Sequence, residues 1–217
     1  MSSAVLISLL ENPEKSRNVT IENTVSHPLT LNPPAKLRAL QEESERYGFR
    51  LASEPLLGSL LRTLAASKLA GTLLELGTGT GVGTAWLLDG MGPDARLITV
   101  DNEPSVIAVA QRYLDIDRRV TFYTDDAAAL LSRLPEAGFD LIFADTWAGK
   151  YTHLEEALRL LRPGGWYIVD DMLPQPGWSV EHEQKARRLI AELEGRVDLT
   201  LTKMAWSTGI IVTVKRG

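Results

Sequence analysis

Leu73-Leu74-Glu75-Leu76-Gly77-Thr78-Gly79-Thr80-Gly81-Val82-Gly83 carries a mainly apolar tetrad straight into a loop with glycine at every second position. The stretch that follows, Thr84 to Leu88, has helical character. In an open parallel sheet ligands bind beyond the carboxyl ends of the strands, near the switch in strand order, which the first strand borders. Glycine there admits backbone dihedrals closed to other residues and lets a ligand reach the main chain with no Cβ in the way. The loop is the leading candidate site in the chain.

Outward from this unit the same rhythm repeats. Leu97 to Val100, Leu141 to Ala144 and Tyr167 to Val169 are near-continuous apolar runs, as expected of parallel strands buried on both faces, and Val120-Thr121-Phe122-Tyr123 reads as a further strand. Between them lie helical patterns, Val106, Val109, Ala110 and Tyr113, then Leu154, Ala157, Leu158 and Leu161. Alternating strand and helix predicts an α/β fold, a Rossmann-like, doubly wound and mostly parallel sheet. The end departs from the pattern: after a helix with Ala186, Leu189, Ile190 and Leu193, two strands (Val197, Leu199, Leu201; then Gly209 to Val214) are joined by a short connection. That predicts an antiparallel hairpin at one sheet edge, because parallel strands need a longer crossover.

Upstream, Leu57, Leu60, Leu61 and Leu64 mark a helix with Ser53 as its expected N-cap and Pro55 in its first turn. Another helical stretch begins at Ala35. Before it, Asn12-Pro13, His27-Pro28 and Asn32-Pro33-Pro34 interrupt any long helix, so residues 1–34 read as an arm or lid and 35–217 as the domain.

Composition bounds the function. With 217 residues, 44% hydrophobic and 24% charged, the chain suits one globular domain. A net charge of −5 and a sequence pI near 5.3 oppose binding to nucleic acid. The absence of cysteine excludes disulfides, thiolate catalysis and cysteine-bound zinc. No run reaches the ~18 apolar residues of a membrane span. Ala4 to Leu10 lacks the flanks of a signal peptide, so a soluble cytoplasmic protein is expected.

The dinucleotide fingerprint requires a glycine at relative position 6, where Val82 stands counting from Gly77 and Thr84 counting from Gly79. A nicotinamide-dependent oxidoreductase is thereby disfavoured, though it stays as an alternative. Asp101, at the end of the second strand about 20 residues on, is placed to accept hydrogen bonds from a ribose diol, or to cap a helix. Asp125 or Asp126 likewise meets an adenine amino group or caps the helix through Leu130.

Together Glu75-Leu76-Gly77-Thr78-Gly79-Thr80-Gly81, Thr99-Val100-Asp101, Asp126-Ala127, Phe139-Asp140-Leu141-Ile142-Phe143-Ala144-Asp145 and Leu160-Leu161-Arg162-Pro163-Gly164-Gly165 resemble the class I S-adenosylmethionine-dependent methyltransferases. Ser53-Glu54-Pro55 and Asp170-Asp171 bring the resemblance closest to the catechol and caffeoyl-coenzyme A O-methyltransferase group. It implies that Gly77, Thr78, Gly79 and Gly81, preceded by Glu75, surround the methionine end of the cofactor. Asp101 would hold the ribose, and Asp126 with Ala127 would border adenine. Asp145, also beside the cofactor, would join Asp170 and Asp171 as metal ligands, Asp171 standing where the family usually has Asn. Hard oxygen donors suit Mg²⁺, Mn²⁺ or Ca²⁺. Implied too are a small-molecule acceptor, with a phenolic or catechol-like hydroxyl, and a homodimer. A cofactor-binding module without catalysis is the other alternative, because Ala148 occupies the position of the family's candidate base lysine. Lys150 lies two residues further on and is expected at the surface, reaching the site only from a flexible Ala-Gly turn. His27, His153 and His182 are other proton acceptors to consider. Trp147, Trp178 and Trp206 are loop residues able to stack on an aromatic acceptor, or to pack on the core.

Overall fold

A computed structural model describes residues 31–217. Most of the expected arm, with the Ala4 to Leu10 run and His27, lies outside the described residues.

The chain runs α1 (Leu37–Tyr47), α2 (Pro55–Ala66), β1 (Thr72–Leu76), α3 (Val82–Gly90), β2 (Arg96–Asp101), α4 (Pro104–Leu114) and β3 (Val120–Thr124). It continues through α5 (Ala127–Arg133), β4 (Phe139–Ala144), α6 (Leu154–Leu160), β5 (Leu161–Val169), α7 (Val180–Gly195), β6 (Leu199–Met204) and β7 (Ile210–Lys215). Among the described residues seven strands form one sheet in the order β3-β2-β1-β4-β5-β7-β6. The first five are parallel, while β7 pairs antiparallel with both β5 and β6, as the hairpin reading requires. Strand order reverses between β1 and β4, so the loops after them flank the switch point.

The sheet separates two cores. One gathers Leu74, Leu76, Ile142, Leu158 and Leu189; the other gathers Leu57, Leu61, Leu73, Trp86, Leu141 and Ile168. Alternate residues of β1 enter opposite cores, as a period of two demands.

Several boundaries differ from those read in the sequence. Leu161 leaves the helical pattern and starts β5, which runs nine residues instead of three. Register jumps there from Phe139↔Leu161 to Leu141↔Trp166, and the extra length is taken up at Arg162-Pro163-Gly164-Gly165. Proline supplies no ladder N–H, and Gly164 lies at φ 76, so these residues bulge. Val197 is exposed and precedes β6. Glu54, not Ser53, occupies the N-cap position of α2, and it makes no side-chain capping bond.

The contact between α2 and α3 sets the mouth of the site. A Cβ on Gly58 would lie 2.2 Å from the Trp86 ring, and one on Gly90 2.0 Å from the Arg62 carbonyl oxygen. Backbone cannot yield as a side-chain tip can. Gly90→Ala is expected to lower unfolding free energy by about 1–3 kcal/mol or more, measured as a fall in denaturation midpoint.

Candidate active site

The loop after β1 winds through three left-handed glycines, Gly77, Gly79 and Gly81, at φ 98, 53 and 90. Gly77 allows the closest approach: a Cβ there would lie 2.8 Å from the Asp145 carbonyl oxygen. Asp101 is tied into this loop, its Oδ2 accepting from the Gly79 amide at 2.8 Å and its Oδ1 from the Glu103 amide at 3.0 Å. Glu103, rather than Asp101, caps α4. Asp126 caps α5 by accepting from the Ala129 amide at 2.9 Å, and Asp125 pairs with Arg133. The capping reading of Asp126 therefore holds, although Asp126 and Ala127 also line a cavity.

Three adjoining cavities open over the strand ends. One is lined by Gly77, Asp101, Asp126, Ala127, Trp147 and His153. The next shares Gly77 and Asp101 and adds Thr78, Gly79, Ser53 and Asp145. The third, of 490 Å³, shares Ser53 and Asp145 and adds Arg50, Asp170, Asp171 and Trp178. Gly81 lies outside these linings; its role is to start α3, where a Cβ would meet Ala110 at 2.7 Å. Ser53 is a lining residue that reading it as a helix cap passes over: freed from capping, it donates to Asp145 Oδ2 at 3.4 Å.

Glu75 lies beneath the loop, fully buried. Its Oε2 accepts from Thr84 at 2.5 Å and Thr99 at 2.7 Å, while Oε1 has no partner among the described residues. Burial, opposed by those two hydroxyls, pushes its carboxyl up to about 7. The folded chain thus holds this proton where the unfolded chain, with a value of 4.5, has released it. Native protein binds more protons across that window, so stability falls as pH rises through it, by roughly 3 kcal/mol in total. Glu75→Gln should remove this segment of the stability–pH curve, as read from urea midpoints between pH 4.5 and 7.

At the ends of the neighbouring strands β4 and β5, Asp145, Asp170 and Asp171 place carboxylate oxygens within 4.8 Å of one another. Asp171 adopts φ 56, a left-handed conformation that Asn and Asp tolerate best among side-chain-bearing residues. Burial, and then the charge of Asp170, holds the Asp145 carboxyl well above its usual range. Asp170 is pushed up to about 6 by burial and by Asp171, against a hydrogen bond from Thr208 Oγ1. Lys150 is a cation that opposes these upward shifts, one positive charge against three carboxylates. Hard oxygen donors at this spacing fit a divalent ion of the Mg²⁺, Mn²⁺ or Ca²⁺ type.

Lys150 corrects an expectation. It is 4% exposed, not a surface lysine. Gly149 at φ 81 tucks against Leu76, and its carbonyl accepts a hydrogen bond from the buried Tyr167 hydroxyl, so the turn Trp147–Thr152 folds inward. Burial lowers the lysine's affinity for its proton, while Asp145, Asp171 and Asp170 raise it. His153 is exposed at the start of α6, and Trp206 lies in the β6–β7 turn. Trp147, Tyr151, Trp178 and His182 instead cluster together.

A family model described as a methyltransferase domain matches residues 74–172. A catechol O-methyltransferase of Niastella koreensis is 32% identical over 199 residues, covering 85% of this chain and 90% of the relative. The chain belongs to the class I S-adenosylmethionine-dependent O-methyltransferases, in the catechol and caffeoyl-coenzyme A group. The O-methyltransferase TomG of Streptomyces achromogenes, from tomaymycin synthesis and in complex with S-adenosylmethionine, superposes with a TM-score of 0.75 at 28% identity, over 87% of this chain and 93% of its own. An O-methyltransferase of Bacillus cereus shares the fold with a TM-score of 0.74 at 22% identity, over 88% of this chain and 94% of that one. This O-methyltransferase therefore uses S-adenosylmethionine and acts on a small-molecule acceptor, which sets aside both the nicotinamide and the non-catalytic alternatives. Among the described residues no helix is long and apolar enough to cross a membrane.

Proposed function

We propose that the acceptor is a small phenol or catechol and that its hydroxyl is methylated beside a divalent ion held by Asp145, Asp170 and Asp171. The observation that carries this reading is the carboxylate triad at the boundary of two cavities, with Asp145 lining both. S-adenosylmethionine supplies the methyl group already activated as a sulfonium, and a bound divalent ion would favour the anionic form of the acceptor hydroxyl.

The residues divide the work by cavity. Asp101, its carboxylate oriented by two backbone amides, holds the ribose hydroxyls; Asp126 and Ala127 border adenine. Gly77, Thr78 and Gly79 take the amino-acid end, where glycine leaves main-chain groups open, with Gly81 shaping the loop and Glu75 supporting it from below. Asp145 faces both reactants. Lys150, lowered in proton affinity by burial, receives the acceptor proton. Its turn carries out from a shifted position the task for which Ala148 has no side chain. Rate comes chiefly from holding nucleophile and methyl group in line in a closed cleft. Cytoplasmic location and a homodimer complete the reading.

Transfer of labelled methyl from S-adenosylmethionine to catechol, by protein stripped with EDTA and then given Mg²⁺, tests it. Product that depends on the added ion is expected. Undiminished turnover in EDTA removes the metal, and turnover only with non-phenolic hydroxyls removes the acceptor class.

A further inference from the structure

Trp178 ends the β5–α7 loop and lines the same cavity as Asp145, Asp170 and Asp171. One face of its indole is covered by the imidazole of His182, with ring centroids 3.8 Å apart and planes inclined by 16°. His182 lies one turn into α7, where its amide donates to the capping hydroxyl of Ser179 at 3.2 Å. On its far side Nε2 is 3.2 Å from the Tyr151 hydroxyl, and the two rings meet edge to face at 5.4 Å and 89°. Tyr151 directly follows Lys150, whose Nζ sits 5.1 Å from the tyrosine ring centroid. Trp147 completes the cluster, 5.8 Å from both Tyr151 and His182.

One imidazole thus ties together two loops that do different things: the loop that brings Trp178 to the cavity and the turn that buries Lys150. With one indole face stacked on His182, the remaining face and edges are what the ring can offer the cavity. Trp178 also packs in part against the core, and the imidazole adds a flat contact that sets the plane of its ring before a ligand arrives, sparing part of the cost in side-chain freedom.

We propose that His182 is a positioning residue for the acceptor, fixing Trp178 as a flat wall for a planar aromatic ring. The inference rests on reading this cavity as the acceptor site. Among the described residues His182 makes no hydrogen bond to the carboxylate triad; it acts through Trp178. A stacked aromatic pair contributes about 0.5–1.5 kcal/mol beyond buried area, so loss of the backing converts to about a 2- to 10-fold weaker hold on an aromatic acceptor.

The test compares the full chain with its His182→Ala and His182→Phe variants, using catechol as acceptor. For His182→Ala we expect KM for catechol to rise about 2- to 10-fold, with kcat and the calorimetric Kd for S-adenosylmethionine within twofold of wild type. His182→Phe, which keeps a flat ring behind the indole but loses the bond to Tyr151, should recover most of the KM. The tryptophan emission spectrum should shift in His182→Ala as solvent replaces the stacked ring, and this shift should vanish in a Trp178→Phe background. An unchanged catechol KM in His182→Ala, or a loss confined to kcat, cofactor affinity or melting temperature, overturns the proposal. If the wild-type protein methylates only non-aromatic hydroxyls, the acceptor reading fails and this inference falls with it; turnover of catechol with an indifferent His182 sinks the inference alone.

Discussion

Asp145→Ala is expected to lower kcat by about 10²- to 10³-fold while leaving the metal-free protein as stable as wild type or more so. The first half follows from position. Asp145 lines two adjoining cavities, those proposed above for cofactor and acceptor, so on that reading its loss removes an oriented charge from both sides of the reacting centre. The second half follows from crowding. Its carboxyl is held above the usual range by burial and by Asp170, which means that the folded state resists its charge, and deleting it relieves the repulsion. Initial rates at saturating S-adenosylmethionine and Mg²⁺ measure the first effect; thermal melts in EDTA measure the second. Addition of Mg²⁺ should raise the melting temperature of wild type and not of the variant, because a ligand stabilises only the state that binds it. A variant that melts well below wild type in EDTA would show that Asp145 supports the fold as well as the chemistry.

The second large effect belongs to Asp101→Ala. Its carboxylate accepts hydrogen bonds from the Gly79 and Glu103 amides, so it shapes the glycine loop in addition to its proposed hold on the ribose. Hydrogen bonds to a charged group contribute about 1.5–3 kcal/mol each, and losing the equivalent of one or two weakens cofactor binding by about 10²-fold or more. Isothermal calorimetry with S-adenosylmethionine reads this directly. A Kd within threefold of wild type would remove Asp101 from the cofactor site. Asp101→Asn keeps one acceptor oxygen and should fall between the two.

Much of this was legible in the sequence because it resides at strand ends. Glu75-Leu76-Gly77, Thr99-Val100-Asp101 and Ala144-Asp145 each join an apolar run to a polar residue, and a parallel sheet delivers all such junctions to one edge. What escaped depends on contacts between distant loops. A lone lysine in a loop reads as exposed; the Tyr167 hydroxyl, 18 residues after Gly149, and the Leu76 side chain pin its turn inward. Ser53 had the right chemistry for a cap, yet the helix starts one residue later, with Glu54 at the N-cap, and Ser53 donates to Asp145 instead. The stacking of Trp178 on His182 joins a loop end to a helix face, and no periodicity marks such a pairing. Leu161 was misread for a local reason: its spacing fits the helix, but the helix ends one residue earlier to free the strand.

The strand order carries a consequence for how the molecule is made. β7 is the final strand in the chain, yet it lies between β5 and β6. During synthesis β6 emerges with no partner to bond to until its successor arrives, so one flank of the sheet must wait while the five parallel strands assemble. Such late, long-range closure is slow relative to local structure. Nascent chains halted before residue 210 should therefore protect β1 to β5 amides from hydrogen exchange and leave Leu199–Met204 open to solvent and to proteases.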